Sequence, residues 1–400
     1  MLVLDWPNLA ARIYYARAMG LHRRTDHSLD VTARLRRLAV LFGATGVVLV
    51  AISAWSVWSS IERVPFEDAV AAADVLETIP ALELDELRAA EDAAEAADRL
   101  AEEQDMAAEE LAELQARRVG ETRTHPDGEI PFLASPELPD DLFTSYLLVG
   151  VEGGFRADAI IYLLRPSDGS APIMVSLPRD LYLRNPCTDR YTRINAGLGG
   201  CAGYAGGAEL LSLMVQEFTG IEVDRFARVD FGGFKRVIDA LGGVEICVEN
   251  AVRDGKAQLD LPAGCSRVGG DQALAWVRSR HTEELVNGDW RQVPGVSDFT
   301  RQRKQQDMLF KIAGRLNSFS SLAAFSDVAS SLAGTVALDA GFSFGDAVSL
   351  AWKFRGTDAS DVKRISISVR DYVTSGGAYV LVPTATFNDS LAKVYPAAAR

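Results

Sequence analysis

Arginine stands beside aspartate repeatedly in the second half of this chain, and the pairs fall at the ends of stretches that read as strands. Arg156 and Asp158 sit in FRADAII just before one apolar run, and Arg179 and Asp180 sit in SLPRD just after another, where Pro178 stiffens the exit. Arg278 and Arg280 in WVRSR share one face if that segment is extended, while Asp298, Arg301 and Gln305 in DFTRQRKQQ share one face of a helix. Planar guanidinium forks match phosphate oxygens, and interspersed carboxylates suit a hard cation such as Mg2+ bridging a pyrophosphate. Each pair taken alone also fits a surface ion pair. Together, at strand ends where open α/β sheets hold ligands, they point to a pyrophosphate site.

Other chemistries find little support. The chain has no Walker loop, HExxH, Rossmann glycine fingerprint or GxSxG. Of its four histidines, His22 and His27 precede the long apolar run, His125 lies in a Pro/Gly-rich stretch, and only His281 remains for a Ser-His-Asp arrangement. The net charge of -14 excludes a general polyanion binder, so nucleic acid is not an expected partner. The glycine-rich stretch GLGGCAGYAGG (197–207) leads into a helical pattern and reads either as backbone amides for an anion or as a cysteine-pinned loop.

Strands and helices must alternate to position these residues. YLLVGV (146–151), AIIYLL (159–164), PIMVSL (172–177), FARVDF (226–231) and VEICV (244–248) read as strands, several apolar on both faces, as in a sheet covered on both sides. Helical patterns run over 206–220, 234–243, 270–277, 300–316 and 342–354, with late strands at 362–369 and 378–383 and an enlarged loop at 281–297. The expected fold of 140–400 is α/β, a mixed central sheet flanked by helices in an α-β-α sandwich.

The first third differs in kind. Residues 1–37 carry seven arginines against three aspartates, net +4, and residues 62–118 carry eighteen acids against five arginines, net -13. Between them Leu38–Trp58 is 21 residues without a charge, long enough to cross a hydrocarbon core of ~30 Å at ~1.5 Å per residue. The reading is a cytoplasmic basic tail (1–37), a single transmembrane helix (38–61) with Trp55 and Trp58 at its outer end, and everything beyond it extracytoplasmic. Residues 62–118 read as two acidic helices, about 66–78 and 83–118, forming a solvated stalk or self-associating through an alanine seam, and 119–139 as a linker. All four cysteines, Cys187, Cys201, Cys247 and Cys265, follow the apolar run without zinc spacing. Outside the cytoplasm the nearest-neighbour pairs 187–201 and 247–265 would close two loops, each worth ~3 kcal/mol in the chain-entropy model; four buried free thiols are the alternative.

The order RxD, SLPRDL, RINAG, GGAELL, VDFGGF, DALGGVEICV, WVRSR and DFTRQRKQQ resembles the LytR-CpsA-Psr family of cell-wall glycopolymer phosphotransferases over about 140–400. The resemblance implies that an apolar tunnel holds a polyprenyl chain in the membrane lipid's reach, with its pyrophosphate among arginines and Mg2+ (or Mn2+). The implied reaction moves a polyprenyl-linked glycopolymer donor onto a hydroxyl of a peptidoglycan acceptor. By motif position, Arg156, Arg179, Arg278, Arg280 and Arg301 would hold phosphate oxygens and Gln305 would order the site. Asp158 would ligate the metal with Glu152, and Arg179, Asp158 and Asp298 would form the catalytic set. Two positions depart from the family pattern: its G-x-D reads Gly150-Val151-Glu152, with a short loop to Arg156, and its RQ on the last helix reads Lys304-Gln305. A non-catalytic lipid-glycan-binding scaffold and a polyprenyl pyrophosphatase are the alternatives on this fold.

Overall fold

The computed structural model describes residues 58–64, 66, 69–105, 133, 135–152, 156–293, 298–317, 336–343, 346 and 361–399. The basic tail, almost all of the transmembrane candidate, residues 106–118, most of the linker and the body of the helix expected at 342–354 lie outside the described residues. Among the described residues no helix is long and apolar enough to cross a membrane.

Seven strands form the central sheet: β1 (Glu62–Val64), β2 (Phe143–Glu152), β3 (Arg156–Pro166), β4 (Ile173–Leu177), β5 (Arg225–Asp230), β6 (Val336–Asp339) and β7 (Lys363–Ser366). Their spatial order is β1-β6-β5-β2-β3-β4-β7. The sheet is mixed, since β2–β3, β3–β4 and β5–β6 pair antiparallel whereas β2–β5, β4–β7 and β1–β6 pair parallel. The helices are α1 (Ala69–Leu76), α2 (Ala81–Asp105), α3 (Gly207–Thr219), α4 (Phe231–Ala240), α5 (Gly270–Arg278), α6 (Asp298–Asn317) and α7 (Phe387–Val394).

The run IIYLL in β3 is apolar at successive positions because both faces are covered. Ile160, Tyr162 and Leu164 join one core with Leu147 and Val149 of β2, Leu211 and Met214 of α3, and Phe387 and Leu391 of α7. Ile161 and Leu163 point the other way, to Met174, Leu309 and Phe310, the last two on α6. Burying such side chains stabilises by ~1.5–3 kcal/mol each, so a one-residue slip of β3 would forfeit both layers. The phenol of Tyr162 is fully buried and donates to the carbonyls of Ile221 and Glu222 at 3.1 and 2.9 Å, tying β3 to the segment entering β5. A second core gathers Ile238 of α4, Ile246 of the ribbon Val244–Val248/Gly264–Val268, Leu261 of the strand Leu259–Leu261, Val277 of α5 and Met308 of α6.

Three expectations change. Residues 281–297 do not form a plain loop: Glu283–Val286 and Asp289–Gln292 make a hairpin that continues onto Val252–Asp254. Its turn is Asn287-Gly288, both at positive φ (54° and 88°), the chemistry a two-residue hairpin turn requires. The late strand at 362–369 is two strands, β7 in the central sheet and Val369–Val373 paired with Tyr379–Pro383. The described part of 62–118 is not a solvated spacer. β1 completes one edge of the sheet, and Ala72 and Leu76 of α1 are buried against Cys187, Cys201, Leu210 and Leu213. Ala72 and Leu76, four residues apart, give α1 one face for packing, and its partner is the chain's own domain.

Candidate functional site

One end of the sheet collects the chemistry. β2 and β4 end there and β3 begins there, because both neighbours run antiparallel to β3; β5, parallel to β2, ends there too and hands over to α4 through Asp230, whose carboxylate accepts from the amide of Gly233. Gly150 pairs with Ala159 and Val151 with Ala157, so Asp158 is the extra residue of a β-bulge. Bulges re-aim side chains, and this one turns Asp158 to Arg179, whose Nη1 donates to Oδ1 at 3.1 Å.

Asp180 is the centre of the arginine cluster. Burial alone would raise its carboxyl, but Arg179, Arg193, Arg301 and Arg280 together hold it below the ordinary carboxylate range. Arg179 Nε lies 3.5 Å from Asp180 Oδ2 and Arg193 Nε 3.6 Å from Oδ1. Arg156 belongs to the same group: burial, then the proximity of Arg179 and Arg193, lowers its guanidinium from the usual value. The PRD turn is held by backbone bonds from Ile194 to Leu181 (2.8 Å), from Asn195 to Arg179 (3.3 Å) and from Leu381 to Asp180 (2.8 Å). Sequence reasoning quoted RINAG but passed over its arginine. Arg193 is buried and donates from Nη2 to the carbonyl of Tyr379 at 2.7 Å, a position legible only once the hairpin Tyr182–Asn185/Arg190–Arg193 is known.

The second core contributes from the side. Arg301 on α6 is buried, and Gln305 one turn later is half-buried. Asp298 begins α6, and its side chain lies outside the described residues. Arg278 stacks 4.6 Å over Phe231 and donates to Glu152 Oε1 at 2.6 Å, so the carboxylate expected at a metal is here bonded to an arginine. The structure thus brings Arg179, Arg280 and Arg301 around Asp180, sets Arg156 beside Arg179 and Asp158, and leaves Arg278 with Glu152 as a separate pair.

The sequence profile of the LytR_cpsA_psr family matches residues 143–394. The chain belongs to that family. Over 127 residues it is 39% identical to the probable cell wall biosynthesis protein LcpB of Corynebacterium glutamicum, covering 32% of this chain and 29% of that one. Over 249 residues it is 26% identical to the polyisoprenyl-teichoic acid–peptidoglycan teichoic acid transferase TagV of Bacillus subtilis, covering 60% of this chain and 59% of the relative. The chain therefore spans less than two thirds of the length of these curated relatives. The LytR-Csp2A-Psr enzyme from Actinomyces oris superposes with a TM-score of 0.53 at 24% identity, over 68% of this chain and 96% of that one, and shows the shared fold.

The LytR_cpsA_psr segment contains every arginine of the cluster, but α1 and α2 precede it and α2 reaches the site nonetheless. Its inward face is acidic. Asp98, 12% exposed, pairs with Arg156; Asp92 accepts from Arg190 at 3.0 Å and Glu91 from Asn185 at 2.9 Å. Burial pushes the Glu95 carboxyl above its ordinary value, with Arg193 opposing. The glycine-rich stretch resolves as a packed loop. The amide of Gly206 donates to Glu209 of its own helix at 2.7 Å, and a Cβ on Gly207 would fall 1.9 Å from the carbonyl of Leu198. The sulfurs of Cys187 and Cys201 lie 2.11 Å apart and those of Cys247 and Cys265 2.07 Å apart, the two nearest-neighbour pairs.

Proposed function

We propose that this chain is a membrane-anchored phosphotransferase that moves a polyprenyl-pyrophosphate-linked glycopolymer onto a hydroxyl of peptidoglycan. The observation that carries the reading is the convergence of Arg156, Arg179, Arg193, Arg280 and Arg301 on Asp180 and Asp158 at one sheet end, in a chain of the LytR_cpsA_psr family. The acceptor oxygen attacks the sugar-bound phosphorus, the bond from that phosphorus to the departing polyprenyl phosphate breaks, and the acceptor's proton passes to solvent. Guanidinium groups fixed before the reaction absorb the charge on the phosphate oxygens, the largest contribution a static site can make. Named relatives such as TagV support the class of donor and acceptor.

The donor set fits Mg2+. Asp158 offers a half-buried carboxylate freed from strand pairing, and Asp180 Oδ1 is buried without a hydrogen-bond partner among the described residues. Mg2+ commonly takes one or two protein carboxylates and fills its remaining positions with water and phosphate oxygens. Bound there, it would neutralise pyrophosphate charge. Glu152 would join it only by leaving Arg278. The reading includes a cytoplasmic N-terminus, an extracytoplasmic domain and oxidised Cys187–Cys201 and Cys247–Cys265 pairs.

The test is a Mg2+ titration of phosphate release from a polyprenyl pyrophosphate by the full chain in detergent. Asp158→Ala should abolish Mg2+-dependent turnover, whereas Glu152→Gln, which keeps a hydrogen bond to Arg278 within reach, should weaken it less. A wild type that binds polyprenyl pyrophosphate but never turns it over would replace the enzyme with a lipid-glycan-binding scaffold.

A further inference from the structure

Asp254 is fully buried at the end of the short strand Val252–Asp254, and it organises a segment that carries two of the candidate phosphate arginines. Its Oδ1 accepts from the amides of Lys256 and Ala257 at 3.0 and 3.1 Å. Its Oδ2 accepts from Ser279 Oγ at 2.7 Å and from the amides of Arg280 and His281 at 3.1 and 2.9 Å. The turn between Arg278 and Thr282 is therefore built around one carboxylate. The network continues: Ser279 Oγ and Thr282 Oγ1 are 2.5 Å apart, and Thr282 Oγ1 accepts from Lys304 Nζ at 3.2 Å. Lys304 lies on α6, one turn after Arg301, with its ammonium 4.2 Å over the ring of Trp276 of α5.

We propose that Asp254 and Lys304 are a positioning pair, which locks the Arg280 turn to the Arg301 helix through Ser279 and Thr282 and so sets the spacing of the two guanidiniums that approach Asp180 from this side. The inference rests on the pyrophosphate reading of the site. Asp254 acts through the backbone amides it holds, and Lys304 acts through the Thr282 hydroxyl. The charge on Lys304 matters to the lock. Burial pulls its ammonium down to about 8, and Asp254 is the charged group that opposes this; Trp276 and Thr282, its other neighbours, are uncharged, while His281 acts on Asp254 rather than on Lys304. An arginine at 304, as the family pattern has it, would hold its charge at any pH. This chain's lysine makes the lock weaken in alkali, because the neutral amine donates a weaker hydrogen bond to Thr282 and loses its attraction to Asp254.

The experiment measures the affinity of the full chain for inorganic pyrophosphate with Mg2+ between pH 6.5 and 9.5, with thermal unfolding of each variant as the control. Wild-type affinity should fall ~10-fold as pH rises through the Lys304 value, the usual loss for a charge-assisted bond. Lys304→Arg should remove that fall, and comparing the two profiles cancels the titration of pyrophosphate itself. Asp254→Asn should weaken binding ~10-fold at pH 7 and shift the alkaline fall to lower pH, because the lysine loses its counter-charge. Thr282→Val, which cuts the link without touching a charge, should weaken binding severalfold and carries the argument if Asp254→Asn does not fold. An alkaline fall identical in wild type and Lys304→Arg, or wild-type affinity in Thr282→Val, would overturn the pair while leaving the pyrophosphate site intact. A wild type that does not bind pyrophosphate at any pH would overturn the site reading and the pair with it.

Discussion

At the scale of single residues, the site is a contest between burial and charge that charge wins. Asp180 is buried, which disfavours its anion, yet its carboxyl stays below the ordinary range because four guanidiniums surround it. An unfolded chain restores the ordinary value of ~3.9, so the unfolded state takes up a proton first as pH falls. The stability Asp180 contributes is therefore complete at neutral pH and is lost as pH drops below the ordinary carboxyl value and through the folded one. Urea unfolding midpoints followed from pH 7 to 3 should show this loss in the wild type and a flatter acid limb in Asp180→Asn. Arg179 should separate activity from stability. Asp180 keeps three other guanidiniums when it is removed, whereas a phosphate contact in a desolvated site is worth ~2–4 kcal/mol of transition-state stabilisation. Arg179→Ala is expected to cut phosphate release ~30- to 1,000-fold, measured as kcat/KM, with the fold retained by circular dichroism.

At the scale of elements, α2 inverts the usual logic of a surface helix. Its exposed stripe includes Ala90, Ala94, Ala97 and Ala101 of the alanine seam, while Glu91, Glu95 and Asp98 turn inward onto a basic rim. Hydrophobic periodicity alone points such a helix the wrong way, and this is why the sequence reads as a spacer. Docking by charge is sensitive to screening: the Debye length falls from ~8 Å at 0.15 M salt to ~3 Å at 1 M. Hydrogen exchange in 81–105 should accelerate at 1 M salt while β2 and β3 stay protected. Asp98→Asn should loosen the helix and tighten pyrophosphate binding severalfold, since it releases Arg156 from a competing carboxylate; weaker binding would show instead that Asp98 serves the site. The central strands were legible because both faces are apolar, as in IIYLL. The bulge at Asp158 was not, since nothing in GVEGGFRADA marks which residue loses its partner, and Arg193 was hidden because its value depends on a hairpin that brings 193 to 180. Asn287-Gly288, by contrast, is a readable hairpin signal inside the stretch read as a loop.

At the scale of the whole molecule, the proposed reaction requires the arginine cluster to lie on the outer side of a membrane. Only Ser59, Ser60 and Ile61 separate the end of the chargeless run at Trp58 from β1, which is paired into the central sheet. Seven arginines before the run and the acidic segment after it would, under the positive-inside rule, give the proposed anchor a cytoplasmic N-terminus. Paired sulfurs at 187–201 and 247–265 would suit the oxidising compartment that this proposal requires. Two single substitutions test the orientation with one reagent. Leu82 on α2 is 76% exposed, so Leu82→Cys offers a thiol on the domain, and Ser28→Cys offers one in the basic tail. A membrane-impermeant maleimide added to intact spheroplasts should label Leu82→Cys and spare Ser28→Cys until the membrane is broken, while the wild type stays unlabelled without reductant because its own four cysteines are paired. The reverse labelling would put the arginine cluster on the cytoplasmic side, away from peptidoglycan, and remove the acceptor from the proposed reaction.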